Sequence, residues 1–471
     1  IDLVIFLVYM LVMLGVGYYF MNQNKNQEDF YVGGRKIGSW HIGLSVVATD
    51  VGGGFSVGLG GLGFTMGLSG SWMLFTGLLG AWLAAVYLIP RVKGDKAFNN
   101  FYTFPQIVTH LYNKRAGLVA AVITLIGYLG FTSSQLLAGA KLASGTFTAI
   151  TIDQALWLMG VLAVVYTVLG GLKAVIYTDT VQWILLMAGL IFIGLPIAYF
   201  FVGGWATIQS TLPEEFFRLN NLKWQDLVNW AIAILPIWFI GMTLYQRIYA
   251  SKDVKSAKKA WFIAGFFEWP IMAFMGVALG LLARVAFEQG LLLVELEAID
   301  PEMGLPLLLR TVLPPGILGL MMAAYFSAVL STADSCLMAA SGNMTKDILG
   351  NWLDKMPQIK QMRWSQMVTL VLGASALLLA SQMTNVLDLM LYSYSFMVSG
   401  LLIPVLFGLF GQKHHPSAAI ATMLTGGMIT VSLQLFSIVL PYGLDPGFYG
   451  LTAALAIFLL LNYYLKNIKL K

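Results

Sequence analysis

The sequence predicts an all-α membrane protein with about thirteen transmembrane helices. Three observations carry that reading: the composition, the lengths of the apolar runs and the placement of the basic residues. Hydrophobic residues make up 58% of the 471 before any glycine is counted, and charged residues only 10%. A soluble domain runs at about 45–50% apolar with glycine included and about 25% charged. One core cannot hide that much apolar surface, so the chain needs lipid as its solvent.

A helix needs roughly 20 mainly apolar residues to cross a bilayer. The first such run, 3–20, is named here the leading helix. Core helices 1 to 10 follow at 41–66, 70–90, 117–147, 152–170, 177–202, 227–249, 260–285, 306–344, 364–383 and 387–410. Two trailing helices lie at 416–440 and 448–465.

With the N-terminus outside and the C-terminus in the cytoplasm, 22 of the 27 Lys and Arg fall in cytoplasmic segments, Arg247 among them. Only Lys141, Arg218, Lys223, Arg284 and Arg310 do not. The positive-inside rule expects this asymmetry, and a wrong helix count would invert it midway. The acidic stretch from Glu288 to Glu302 falls outside. The first apolar run is too long for a cleavable signal peptide and lacks a small-residue cleavage site. The chain opens on Ile1, so a few residues are expected to precede it. The lone Cys336 excludes an internal disulfide.

The polar connections are too short for an attached soluble domain. Phosphate loops, zinc clusters and nucleophilic triads are absent from the sequence. No enzymatic activity is expected, and the net charge of +5 gives no reason to expect nucleic acid as a partner.

Ionisable residues inside a span cost at least about 2.5–3.5 kcal/mol at a helix centre on insertion scales. Asp50, Asp179, Glu268 and Asp334 are the ones that matter. A structural hydrogen bond or a cationic neighbour accounts for such an acid unless backbone breakers or hydroxyls accompany it. Asp50 has breakers: in ATDVGGGFSVGLGGLGF, glycines 52, 53 and 54 follow at once. Some of these glycines serve close helix packing. Three in a row beside an aspartate predict an unwound segment, tolerated at membrane depth only where it lines a cavity or is buried in protein. Freed carbonyls in such a segment can hold a cation.

Core helix 8 has hydroxyls: AAYFSAVLSTADSCLMAAS carries Ser327, Ser331, Thr332, Asp334 and Ser335. Ser331 and Ser335 share a helix face, with Asp334 joining it. A hydroxyl often only bonds back to the i−4 carbonyl. The cluster as a whole suits a hard cation, which takes oxygen ligands. Pro236 in core helix 6 removes a backbone hydrogen bond. Paired interruptions in corresponding helices of two halves mark a midplane site.

Four segments resemble the sodium:solute symporter family, which includes sodium-coupled sugar, proline, sialic acid, pantothenate and choline carriers. They are FYVGGRKIGSW with ATDVGGG, YTVLGGLKAVIYTDTVQ, QRIYASKDVKSAKKA and AVLSTADSCLMAAS, in the family's order, and the likeness runs from about residue 30 to 410. The resemblance implies the leucine-transporter-like fold, an inverted five-plus-five repeat. The chain then divides into a leading helix at 1–22, a first repeat at 40–203, a second at 226–410, and trailing helices with a basic tail at 415–471.

The resemblance also implies a sodium site between core helices 1 and 8. Its ligands would be the carbonyls of Ala48, Val51 and Ala328 and the hydroxyls of Ser331 and Thr332. Asp50 matches a coupling acid that some members carry and others replace with a neutral residue. A second sodium, which some members bind, would fall to Asp179 with Ser331 and Ser335. Asp334 stands where those members have a small hydroxyl residue; it either joins this set or carries a proton.

The expected function is secondary active symport, in which inward sodium movement drives uptake of a small solute, an amino acid or an organic acid. A sodium-independent uniporter or channel on the same fold is the alternative. Expected solute contacts are Gly53, Phe55 and Ser56 on core helix 1, Trp72 and Phe75 on core helix 2, Ser134 and Gln135 on core helix 3, and Trp238 on core helix 6. For each aromatic, ordinary packing is the competing reading. Sodium is the coupling ion, and the protein is expected as a monomer in the cell membrane, the inner membrane of a bacterium.

Overall fold

In lipid every backbone N–H and C=O must find its partner within the protein, so an apolar run that crosses a bilayer folds as a helix. The computed structural model obeys this, with helices throughout and no strand among the described residues. It describes all residues except 24–26, 148–149, 293–298, 412–413, 437, 439 and 469–471. At positions 14, 17, 20–23, 27, 51, 54–56, 170–171, 173–174 and 466–468 it describes the backbone alone.

The leading helix is Asp2–Gln23 and core helix 1 is Ser39–Met66. Core helix 2 runs from Trp72–Leu83 to Ile89–Val92, and core helix 3 is Lys114–Thr146. Core helices 4 and 5 lie within the helical stretch Ile152–Gly189 and its continuation Leu195–Phe201. In a straight helix Tyr166 and Thr178 would be about 18 Å apart. Their hydroxyls lie 3.2 Å apart, so the chain reverses between them. This separates the apolar spans Ile152–Leu169 and Val175–Phe201.

Core helix 6 comes in three pieces, Trp224–Ile234, Ile237–Ile240 and Met242–Ala250. Core helix 7 runs from Val254–Phe266 to Ala273–Glu288. Core helices 8, 9 and 10 are Ile317–Gly342, Gln358–Ala380 and Val386–Phe410. The trailing helices are Pro416–Leu435 and Pro446–Ile468.

Among the described residues, 11 stretches are long and apolar enough to cross a membrane. They differ from the expected thirteen at two places. Core helices 1 and 2 share the stretch Val57–Val92, and the leading helix contributes only the shorter apolar segment Asp2–Met13. A further difference is at 306–344, expected as one span. The structure divides it: Pro301–Val312 is a separate short helix capped by Asp300, and core helix 8 starts only after Gly316 at φ 89°. Asp2 of the leading helix caps that start, its Oδ1 accepting from Gly316 N at 2.6 Å and Gly319 N at 2.8 Å.

Core helix 8 is the centre of the bundle, with 89% of its most apolar window buried, whereas the last trailing helix has 17% buried and faces lipid. Core helices 1 and 7 touch backbone to backbone. A Cβ on Gly63 would overlap Val277, and one on Gly280 would overlap Gly60. These glycines do the close packing that small residues allow in membranes.

Polar contacts tie helices together at both ends of the bundle. On the expected outer side, Lys141 Nζ bridges Asp300 and Glu302 at 2.6 Å each. Glu302 in turn accepts from Val386 N at 3.1 Å and Leu387 N at 2.9 Å. On the other side, Ile37 is strapped to the end of core helix 6 by Ile37 N to Ala250 O at 3.1 Å and Lys252 N to Ile37 O at 3.2 Å.

Candidate functional site

Core helix 1 breaks where its glycines predict. Gly52 takes φ 32° and ψ −162°, a backbone that a residue with a Cβ rarely adopts. The chain also passes too close to its neighbours for a side chain, since a Cβ here would overlap Thr332 Oγ1 and Gln135 Oε1. Gln135 accepts the N–H of Gly53 at 2.8 Å and so repairs part of the interrupted helix ladder.

The second break is in core helix 6. Pro236 keeps helical angles, φ −70° and ψ −20°, and the extended residue is Gly241 at ψ 117°. Tyrosine hydroxyls mend this one: Tyr128 Oη accepts from Thr243 N at 3.2 Å, and Tyr245 Oη donates to Phe239 O at 2.8 Å. The interruption lies one turn beyond the proline that signals it.

At the first break the expected cation ligands come together. Thr332 Oγ1 lies 3.0 Å from Ala48 O and 3.3 Å from Ala328 O. Ser331 is buried, and its Oγ has no hydrogen-bond partner. A buried hydroxyl without a partner costs about 1–3 kcal/mol, which an ion accepting its lone pair would offset. The residues fit a hard cation of low coordination charge. Val51 belongs to the same turn; its side chain lies outside what the structure describes.

The residues expected to hold a second ion are arranged differently. Asp179 accepts from Ser45 Oγ and pairs with Arg247 Nη2 at 3.3 Å, both side chains fully buried. The same guanidinium donates to Thr49 Oγ1 at 2.6 Å, Ser335 Oγ at 2.8 Å and Ser45 Oγ at 3.0 Å. Ser331 lies beside Asp179. Asp334 turns away to core helix 4, where it accepts from Thr167 Oγ1. Arg247, expected in a cytoplasmic loop, is therefore inside the bundle, a resident positive charge between Asp179 and Ser335.

A narrow cavity, no wider than a water molecule, lies between the two breaks. Thr49 and Asp50, Tyr128 and Phe131, Thr243, and Tyr394 of core helix 10 line it. None of the expected solute contacts is among its lining residues. Gly53 packs against Val329 and Ala138, and Ser134 bonds back to Phe131 O at 2.8 Å. Trp238 packs against Gly80 and, at 6.4 Å, the ring of Trp261. Trp72 and Phe75 form an aromatic cluster with Trp269, and Trp72 Nε1 donates to Leu219 O at 2.8 Å. The side chains of Phe55 and Ser56 lie outside the described residues. Sequence reasoning missed Tyr128, Phe131 and Tyr394, because an aromatic in a uniformly apolar helix carries no mark of the direction it faces.

A model of the sodium:solute symporter family matches residues 30–426. The chain belongs to the sodium:solute symporter family. The sodium/proline symporter of Escherichia coli (strain K12) is 28% identical over 472 residues, covering 98% of this chain and 93% of that one. The sodium/glucose cotransporter of Vibrio parahaemolyticus is 26% identical, covering 94% and 86%. A solved substrate-bound, outward-open Na+-coupled sialic acid symporter superposes with a TM-score of 0.80 at 22% identity, over 97% of this chain and 96% of that one. That likeness is one of fold, the leucine-transporter-like arrangement. Membership makes the chain a multi-pass sodium-coupled symporter and not an enzyme.

Proposed function

We propose that the chain takes up a small amino acid with one sodium ion per cycle, proline being the first solute to test because relatives matching nearly its whole length are sodium/proline symporters. One observation carries the sodium assignment. Thr332 Oγ1 meets Ala48 O at 3.0 Å beside the Gly52 break, next to the partnerless Ser331 hydroxyl. Sodium would be held by the carbonyls of Ala48, Val51 and Ala328 and the hydroxyls of Ser331 and Thr332, tying core helix 1 to core helix 8. The single-ion count rests on Arg247, whose guanidinium supplies at Asp179 the positive charge a second ion would bring.

Symport requires only that sodium and solute favour the same conformation of the bundle. One charge moving through 100 mV supplies about 2.3 kcal/mol and a tenfold sodium gradient about 1.4, enough together to concentrate a neutral solute several hundredfold. The expected setting is a bacterial inner membrane, with the N-terminus outside and the C-terminus cytoplasmic, and the working unit is a monomer.

The test is uptake of labelled proline into proteoliposomes with and without an inward sodium gradient, measuring sodium flux alongside. The expected result is accumulation above the outside concentration, dependent on sodium, at a ratio near one. Equilibration without sodium dependence would make the chain a uniporter or channel instead. A ratio near two would place a second ion at Asp179 despite the arginine.

A further inference from the structure

Core helix 7 begins with bases and continues with aromatics on one face. Lys255, Lys259, Phe262 and Phe266 follow at steps of four, three and four residues, the spacing of one helix stripe. Lys258 flanks that stripe. All three lysines fall in the first two turns of the helix Val254–Phe266, and Phe266 lies about 10 Å beyond Lys259 along the axis. The helix buries Ala257, Ala260, Trp261 and Ala264, whereas Phe262 and Phe266 stay exposed to lipid.

The stripe forms one wall of a groove of about 770 Å³. The other wall is Trp40, exposed at the start of core helix 1. Core helices 1 and 7 meet beside the groove, where a Cβ on Gly43 would come within 3.0 Å of Ala260 O and 3.1 Å of Ile263, itself a lining residue. Phe267 lines the end away from the lysines and packs edge to face on Trp183 of core helix 5, with ring centres 4.7 Å apart. The Lys259 ammonium stands 5.9 Å from the centre of the Trp40 ring, within reach of its π face.

The charge in the groove is one-sided. Among the described residues, no carboxylate pairs with Lys255, Lys258 or Lys259. Arg35 and Lys346 at the same end of the bundle do have partners, Glu28 and Asp354. Asp253 is engaged as the helix cap, its Oδ1 accepting from Ser256 N at 2.7 Å. Like charges three and four residues apart on a helix repel, so the three ammoniums call for an anion from outside the chain.

Base, tryptophan and phenylalanine follow one another in the order of a phospholipid: phosphate, glycerol and acyl chain. Tryptophan suits the headgroup level, and basic pockets between membrane helices suit anionic headgroups. A soluble anion would use the lysines and leave the phenylalanine faces without a partner. A zwitterionic lipid would bring an ammonium of its own among three others. We propose that the groove between core helices 1 and 7 seats one anionic phospholipid, its phosphate on Lys255, Lys258 and Lys259 and an acyl chain along Phe262 and Phe266.

The test is equilibrium binding of phosphatidylglycerol, labelled at an acyl terminus, to the purified full-length chain in nonionic detergent. Phosphatidylcholine with the same chains is the comparison. The parent should bind one phosphatidylglycerol per chain saturably, at least about tenfold more tightly than phosphatidylcholine. Combining Lys255→Gln, Lys258→Gln and Lys259→Gln should abolish that preference. Phe262→Ala with Phe266→Ala should weaken both lipids alike, because it removes chain contacts and leaves the charge. Combining Lys355→Gln, Lys360→Gln and Arg363→Gln removes equal charge around the start of core helix 9 and should leave both affinities at the parental value. Glycerol 3-phosphate in large excess should not displace the lipid.

Equal affinity for the two lipids would overturn the proposal. So would the parental preference in the groove triple variant, or an equal loss in the control triple, which would mark a general response to surface charge. Displacement by glycerol 3-phosphate would make the site one for soluble anions and refute the lipid. If the groove triple does not fold, Lys259→Gln alone decides in its place, with an expected loss of about fivefold for phosphatidylglycerol and none for phosphatidylcholine. Neither sodium nor uptake enters the readout, so failure of the symport reading would leave this result standing.

Discussion

The breaks in core helices 1 and 6 interrupt the bundle at similar depth and are finished differently. At Gly241 the protein closes its own gap, with Tyr128 taking the freed N–H of Thr243 and Tyr245 donating to Phe239 O. At Gly52 the repair is partial. Gln135 takes the N–H of Gly53 and Thr332 Oγ1 donates to Ala48 O, while the Ser331 hydroxyl beside them has no partner. One break is satisfied from within; the other leaves a buried hydroxyl over. The break in core helix 1 thus differs in the hydroxyl left over beside it, which the proposed sodium would take up.

Substitutions at the glycines should separate the two breaks most strongly. Gly52→Ala meets both the positive φ and the overlap with Thr332, so sodium-driven uptake should fall at least about a hundredfold, equivalent to some 2.7 kcal/mol. Gly241 has φ −67°, which any residue adopts, and a Cβ there would be 2.8 Å from the backbone Ile237 O, so it meets one overlap and no forbidden backbone angle. Gly241→Ala should therefore lose less than about tenfold in the same assay. Similar losses at both positions would make the two breaks equivalent.

Side chains that mend the breaks should show a smaller contrast. Tyr245→Phe removes one buried hydrogen bond and should lower stability by about 1 kcal/mol, seen as a lower thermal midpoint with the sodium dependence of uptake unchanged. Gln135→Leu removes the acceptor from Gly53 N, next to the cation ligands. Its effect should appear in the sodium concentration for half-maximal uptake, raised by roughly threefold, equivalent to about 0.6–0.7 kcal/mol. A Gln135→Leu variant that loses only stability would make this break as self-contained as the other.

The helices were legible because membrane burial writes itself into run length, and the Gly52 break because three consecutive glycines beside an aspartate weaken a helix more than close packing alone requires. Leu313–Pro314–Pro315–Gly316 was an equally legible stop, overridden by the apolar residues on both sides. Gly241 was not legible: its extended backbone is held by tyrosine hydroxyls, while Pro236 stays helical. Arg247 was hidden for a different reason. A basic residue at the end of an apolar run ordinarily marks the membrane surface, and its partners Asp179, Ser335 and Thr49 lie 68, 88 and 198 residues away. Glu268 was visible as an acid too costly for lipid, and the structure buries it fully.

A cation held between core helices 1 and 8 is tested most directly by equilibrium binding of radioactive sodium to the purified chain with no solute present. The parent should bind sodium saturably at one ion per chain. Ser331→Ala and Thr332→Ala should each weaken that binding about tenfold, or about 1.4 kcal/mol, and both folded variants should keep their far-ultraviolet helical signal. Parental sodium affinity in both variants would contradict the site, and with it the reading of the Gly52 break.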